Sequence, residues 1–182
     1  MELVQPIRDK DLINQIKSEL RNKNIRDFIL FIAGLNTGLR ISDILKLKVS
    51  NVKDRTHIEI REKKTGKTKR FKITGCLKTY LDSYIQNMNY DNYLFPSRIG
   101  DNKPLDRRQA YIIINAAAKK IGIKDRIGTH TLRKTFGYWH YQQFKDVALL
   151  QDIFNHSSPS VTLRYIGIND DIKDKTLDEF SL

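Results

Sequence analysis

Seven of the eight residues from Phe28 to Leu35 are apolar: Phe28, Ile29, Leu30, Phe31, Ile32, Ala33 and Leu35. Read as a helix over residues 24–36, this segment has no polar stripe to turn toward water. It is therefore predicted to lie near the centre of the core, with other elements packed around it. A chain built on such a helix needs neighbours with matching apolar faces, and the period of those faces decides the fold class.

Most of the neighbours are helical by period. Leu12, Ile13, Ile16 and Leu20 recur at helical spacing, with Asp9 placed as the N-cap of a helix over residues 9–23. Gly38 breaks the chain before a short helix over 40–47, whose apolar side is Ile41, Ile44, Leu45 and Leu47. Helical patterns return over 76–88, 105–121, 131–143, 147–154 and 160–166. Only residues 57–73 change period. Ile58 and Ile60 alternate with polar residues, as do Phe71 and Ile73 beyond Thr65-Gly66-Lys67, which is the pattern of a β-hairpin with a basic tip. The fold class expected is mainly α with a small antiparallel β-sheet (α+β). Turn signals at Pro96-Ser97, Gly100-Asp101 and Gly122 separate elements without extending into a linker, so residues 1–182 are expected to form a single domain.

Composition narrows the function classes. The formal net charge of +12 favours a polyanionic partner, because a basic surface gains by displacing counterions from phosphate. A compositional bias toward Lys, Ile and Asn would raise the charge as well, so the charge needs a site to corroborate it. The single cysteine, Cys76, excludes an internal disulfide and a multi-thiolate zinc site, and it is expected to be a small core residue. No window approaches the roughly 18–20 apolar residues of a membrane span, and the amino end has no apolar signal block. A soluble, cytoplasmic protein without membrane partners is expected.

Four short constellations carry chemistry. Arg40 follows Thr37-Gly38, and Asp43 lies three residues on, where a carboxylate can orient a guanidinium; alone, this is an ordinary ion pair. His130 and Arg133, in the string HTLR, are spaced i, i+3 near a helix start and can point at one anion; alone, they are a basic helix-end cluster. His156 stands between an apolar helix and Ser157-Ser158-Pro159, a junction where histidines are commonly structural. Tyr165 follows nine residues later, and a lone tyrosine among eight is by default half-buried core.

The ordered set is more specific than its parts: TGLRxxD, a hairpin carrying KKTGK, HTLR, then NHSS and TLRY. Over about residues 9–166 it resembles the tyrosine recombinase, or phage integrase, family. By that resemblance the family's first arginine looks like Arg40, its hairpin lysine like Lys64, its His-x-x-Arg box like His130 and Arg133, its later histidine like His156 and its nucleophile like Tyr165. Asp43, where many relatives carry Glu, supports Arg40. Lys63 and Lys67 stand close to Lys64 and remain alternatives to it, although the Lys-Thr-Gly form and strand alternation favour Lys64.

The resemblance implies a tyrosine recombinase catalytic-domain fold and a site-specific recombinase that cleaves and rejoins double-stranded DNA without metal, ATP or another cofactor. Tyr165 would attack the phosphodiester to leave a 3′-phosphotyrosyl ester and a free 5′ hydroxyl. Arg40, Arg133 and His156 would face the equatorial oxygens, His130 would accept the phenolic proton and Lys64 would protonate the leaving oxygen. It further implies four protomers on two duplexes, an origin in a bacterium, phage or mobile element, and a tail over residues 167–182 exchanged between protomers. A tail that folds back on its own domain is the other reading of that segment. Relatives usually carry an amino-terminal core-binding domain, which is not expected here because few residues precede the first helix. Two other functions stand beside the recombinase: a type IB topoisomerase-like strand transferase or hairpin-forming resolvase, and an inactive integrase remnant that regulates by binding DNA.

Overall fold

A computed structural model describes residues 4–61, 66 and 68–180. Lys63, Lys64, Thr65 and Lys67 of the hairpin tip lie outside the described residues. Helix α1 (Lys10–Lys23) begins where Asp9 was expected to cap it, its carboxylate accepting from the Asp11 and Leu12 amides. Helix α2 (Ile25–Thr37) starts at its own cap, Asn24, and ends at Gly38. Phe28 to Ala33 are all buried, and α2 packs against α1, the short α3 (Ile41–Ile44), α4 (Gly75–Ile85), α5 (Arg107–Lys120) and α6 (Thr129–Phe144), which is the central position its composition demanded.

Strands β1 (His57–Arg61) and β2 (Thr68–Lys72) pair antiparallel, with Ile58 opposite Phe71 and Ile60 opposite Lys69. The inner face of this two-stranded sheet therefore carries Ile58, Ile60 and Phe71 together with a lysine. After α6 come α7 (Val147–Phe154), α8 (Pro159–Ile166) and α9 (Ile168–Asp178). These last helices form a smaller core around Leu150, Phe154, Ile166 and Ile168, against Phe136, Tyr138 and Tyr141 of α6. Gly137 permits that approach, since a Cβ there would stand 2.7 Å from Phe154 and Ile166 side-chain atoms. The fold is thus mainly helical with one small sheet, as the periods indicate.

Two expectations need correction. Cys76 is exposed, not core, because in the first turn of α4 the inward face is taken by Leu77, Leu81 and Ile85. The third helix covers only Ile41–Ile44, with Arg40 as its N-cap; Leu47 turns away to receive the Leu94 amide, and its apolar side chain reaches the core from a loop.

Candidate active site

Gly38 adopts the left-handed conformation that closes α2, with φ of 62°, and so turns the chain to place Arg40 at the mouth of α3. Arg40 is half-buried, and Asp43, one turn into α3, is only 4% exposed. The carboxylate is therefore interior, unlike the exposed ion pair that its spacing alone suggests.

Arg133 joins three segments. Its guanidinium donates to the Gly38 carbonyl through Nη1 and to the Phe154 carbonyl through Nη2 at 2.9 Å, with its carbon 4.3 Å from the centre of the Phe154 ring. The side chain is 3% exposed. Its charge also acts on the phenol of Tyr165, the seventh residue of α8. Burial pushes the Tyr165 phenol above its ordinary pKa, while the charges of Arg133 and Arg40 pull it back.

His156 is brought to the same place by the left-handed Asn155, which ends α7 with φ of 52°. Its Nδ1 stands 3.1 Å from the Thr162 hydroxyl, and its ring is edge-on to that of Tyr165 with centroids 5.1 Å apart. Ser158 caps α8 and Pro159 opens it, so the turn between the two helices is fixed at both ends. Three distant stretches of sequence thus converge on Arg133, His156 and Tyr165, with Arg40 close enough to act on the phenol.

His130 shares a cleft with Tyr165. As the second residue of α6 it is exposed to a cleft of about 750 Å³ lined also by Arg107, Arg108, Arg126, Lys134 and Tyr165. Its Nε2 is 3.4 Å from the Arg107 guanidinium. Partial burial, and then repulsion by Arg107, Arg133, Lys134 and Arg40, hold the imidazole below its ordinary pKa, which favours the neutral form that can accept a proton. Lys64 lies outside the described residues. Among those that are described, no group of three or more His, Cys, Asp or Glu side chains is placed to hold a metal ion.

Residues not singled out from the sequence also build this region. Lys69 on β2 donates through Nζ to the Asp152 carbonyl and to that of Ile153 at 3.2 Å, which ties the hairpin to the last turn of α7. Its signal was alternation: Lys69 shares the inward face of β2 with Phe71. Lys134 is buried beside Tyr165, and its signal was the i, i+4 spacing from His130. At the tail, Arg8 pairs with Asp171 at 2.7 Å and so holds the start of α9, whose Ile172, Leu177 and following Phe180 are exposed. No helix among the described residues is long and apolar enough to cross a membrane.

A sequence model of the phage integrase family matches residues 8–171. A probable integrase/recombinase, YoeC, of Bacillus subtilis (strain 168) is 50% identical over 171 residues, covering 94% of this chain and 93% of the relative. Among solved structures, XerA recombinase superposes with a TM-score of 0.77 at 22% identity, over 100% of this chain and 67% of that one. A lambda integrase solved as a tetramer bound to a Holliday junction gives a TM-score of 0.74 at 16% identity, over 91% of this chain and 49% of that one. The chain thus spans nearly all of the Bacillus relative but about half of lambda integrase.

Proposed function

The chain belongs to the phage integrase family of tyrosine recombinases, and from that premise we propose that it cleaves and rejoins DNA at specific sites through a covalent 3′-phosphotyrosyl link to Tyr165. The observation that carries this reading is the convergence on Tyr165 of the His156 ring, edge-on with centroids 5.1 Å apart, and of two arginines, Arg133 and Arg40, whose charges act on the phenol.

A phosphodiester approaching Tyr165 needs donors for its equatorial oxygens as charge builds in the transition state. Arg40 and Arg133 supply planar guanidiniums and His156 a further donor, with Asp43 behind Arg40. His130 accepts the phenolic proton, a role that suits an imidazole kept neutral by its surroundings. Lys64 protonates the departing 5′ oxygen. The new ester replaces the one broken, so reversal by a 5′ hydroxyl reseals the strand without ATP.

The partner of this reaction is double-stranded DNA. Recombination needs two duplexes and several protomers, and the exposed Ile172, Leu177 and Phe180 offer a surface through which α9 packs against a neighbouring protomer. Residues 1–182 act as one catalytic unit, working in the cytoplasm of a bacterium that hosts the phage or mobile element.

The test is covalent trapping on a nicked duplex in excess EDTA, followed by strand exchange between two duplexes. A protein–DNA adduct resistant to denaturant, together with exchanged products, supports the recombinase. Relaxation of supercoiled DNA without exchange would point to a strand transferase, and binding without an adduct to a regulator.

A further inference from the structure

The face of α6 that begins with His130 continues one turn on to Lys134, a side chain for which the proposed reaction has no role. Lys134 is 5% exposed in a chain whose other lysines are mostly solvated. Withdrawing an ammonium from water is expensive unless something nearby favours its charge. Two things do. Its Nζ stands 5.2 Å from the centre of the Tyr165 ring, within the range at which an aromatic face attracts a cation. Asp170, at the start of α9, lines a second cleft of about 630 Å³ together with Lys134 and Tyr165.

The surrounding charges are mixed. Arg8 repels the ammonium and Asp170 favours it, while burial weighs most against it. Arg164 and Lys173 border the same second cleft, and His130 and Arg107 border the first. On the Tyr165 side the cations are Arg133 and Arg40, with the His156 ring edge-on. Lys134 thus lies against the nucleophile's ring and borders the cleft that Asp170, in the first turn of the tail helix, also lines.

We propose that Lys134 is a positioning residue for Tyr165: its ammonium fixes the plane of the ring and favours the phenolate as the proton leaves, while Asp170 keeps that ammonium charged. The proposal rests on the reading of Tyr165 as the nucleophile. Lys134 acts through the ring and not on the phosphate, so its loss should change the ionisation of Tyr165 without weakening the hold on DNA. A lysine that merely ties α6 to α9 would leave that ionisation unmoved.

The experiment labels the full chain with 3-fluorotyrosine, whose phenols ionise at lower pH than those of tyrosine, and follows each one by fluorine NMR as pH is raised. Tyr165→Phe identifies the signal. Lys134→Met should move the Tyr165 midpoint up by about 0.5 to 1 pH unit, Lys134→Arg should leave it near the parent value, and Asp170→Asn should move it up by less. Adduct formation on a nicked duplex, measured in parallel with unlabelled protein, should fall about tenfold in Lys134→Met and recover in Lys134→Arg, with DNA affinity unchanged. An unmoved midpoint in a folded Lys134→Met protein overturns the proposal, even where the parent forms its adduct. A moved midpoint in a protein whose parent forms no adduct at Tyr165 supports the contact and overturns the nucleophile assignment instead. Should Lys134→Met fail to fold, Lys134→Gln serves the same comparison, and a midpoint identical to the parent's overturns the proposal in the same way.

Discussion

Arg133 donates to the carbonyl oxygen of Phe154 at 2.9 Å while its guanidinium carbon lies 4.3 Å from the centre of that residue's own ring. One side chain thus fixes both the end of α7 and the aromatic residue beneath it, two positions before His156. Arg133 therefore holds the site together as well as contributing to it.

Replacing Arg133 with Ala should destabilise the folded chain by about 2–4 kcal/mol, since two carbonyls lose their buried donor and a cavity opens beside Phe154. Chemical denaturation measures this. Arg133→Lys should recover part of the stability but little of the cleavage rate, because a point charge cannot satisfy Gly38, Phe154 and a phosphate together. A Lys variant that cleaved at the parent rate would remove the fork from the mechanism.

This dual role explains how much of the site was legible in the sequence. Spacing alone leaves Arg40, His130, Arg133, His156 and Tyr165 as ordinary ion-pair, capping or core residues, and it is the order of their motifs, through the family resemblance, that singles them out. Neither can show that Arg133 grips the carbonyls of Gly38 and Phe154, since backbone acceptors leave no mark on composition. Lys69 and Lys134 stand among 33 basic residues, and their signals, strand alternation and i, i+4 spacing, do not say that one would meet the end of α7 or the other lie buried beside Tyr165. Cys76 failed in the opposite direction: a residue type that is usually buried fell on the outward side of α4, where the helical period, and not the side chain, sets exposure.

Lys69→Gln should release the hairpin from the end of α7, where the ammonium now meets the carbonyls of Asp152 and Ile153 and opposes the helix dipole. The expected loss of stability is small, about 0.5–1.5 kcal/mol. Adduct formation should fall more than the stability loss accounts for, because β2 is no longer tied to the end of α7, which leads into His156. Lys69→Arg should restore it. Equal rates in the parent and Lys69→Gln would show that the tether does not matter for cleavage.

The acid side of the cleavage profile should report His130. Partial burial and neighbouring cations make the folded chain bind this proton less readily than the unfolded chain does. Lowering the pH through the ordinary imidazole range thus protonates the unfolded state first and removes stability, and raising it restores stability. The base should stay active to a lower pH than a free imidazole near 6.5 would allow. Arg107→Gln removes one repulsion, so the acid limb should move upward by roughly half a unit. A downward shift would contradict the assignment.

Changing Ile172, Leu177 and Phe180 together to Ser should leave the thermal midpoint within a few degrees of the parent, because all three are exposed and the start of α9 is held independently by Arg8 and Asp171. Single-site DNA binding should persist. Synaptic complexes in a native gel and recombinant product should drop sharply. Full recombination by this variant would place the protomer contact elsewhere.

The central claim is that one tyrosine oxygen carries the broken strand. After trapping on a nicked duplex and digestion of the DNA and protein, mass spectrometry should find the residual nucleotide on the fragment containing Tyr165, and Tyr165→Phe should yield no adduct while binding DNA as the parent does. Nucleotide on a fragment bearing Tyr138 or Tyr141, or an undiminished adduct in Tyr165→Phe, would contradict it.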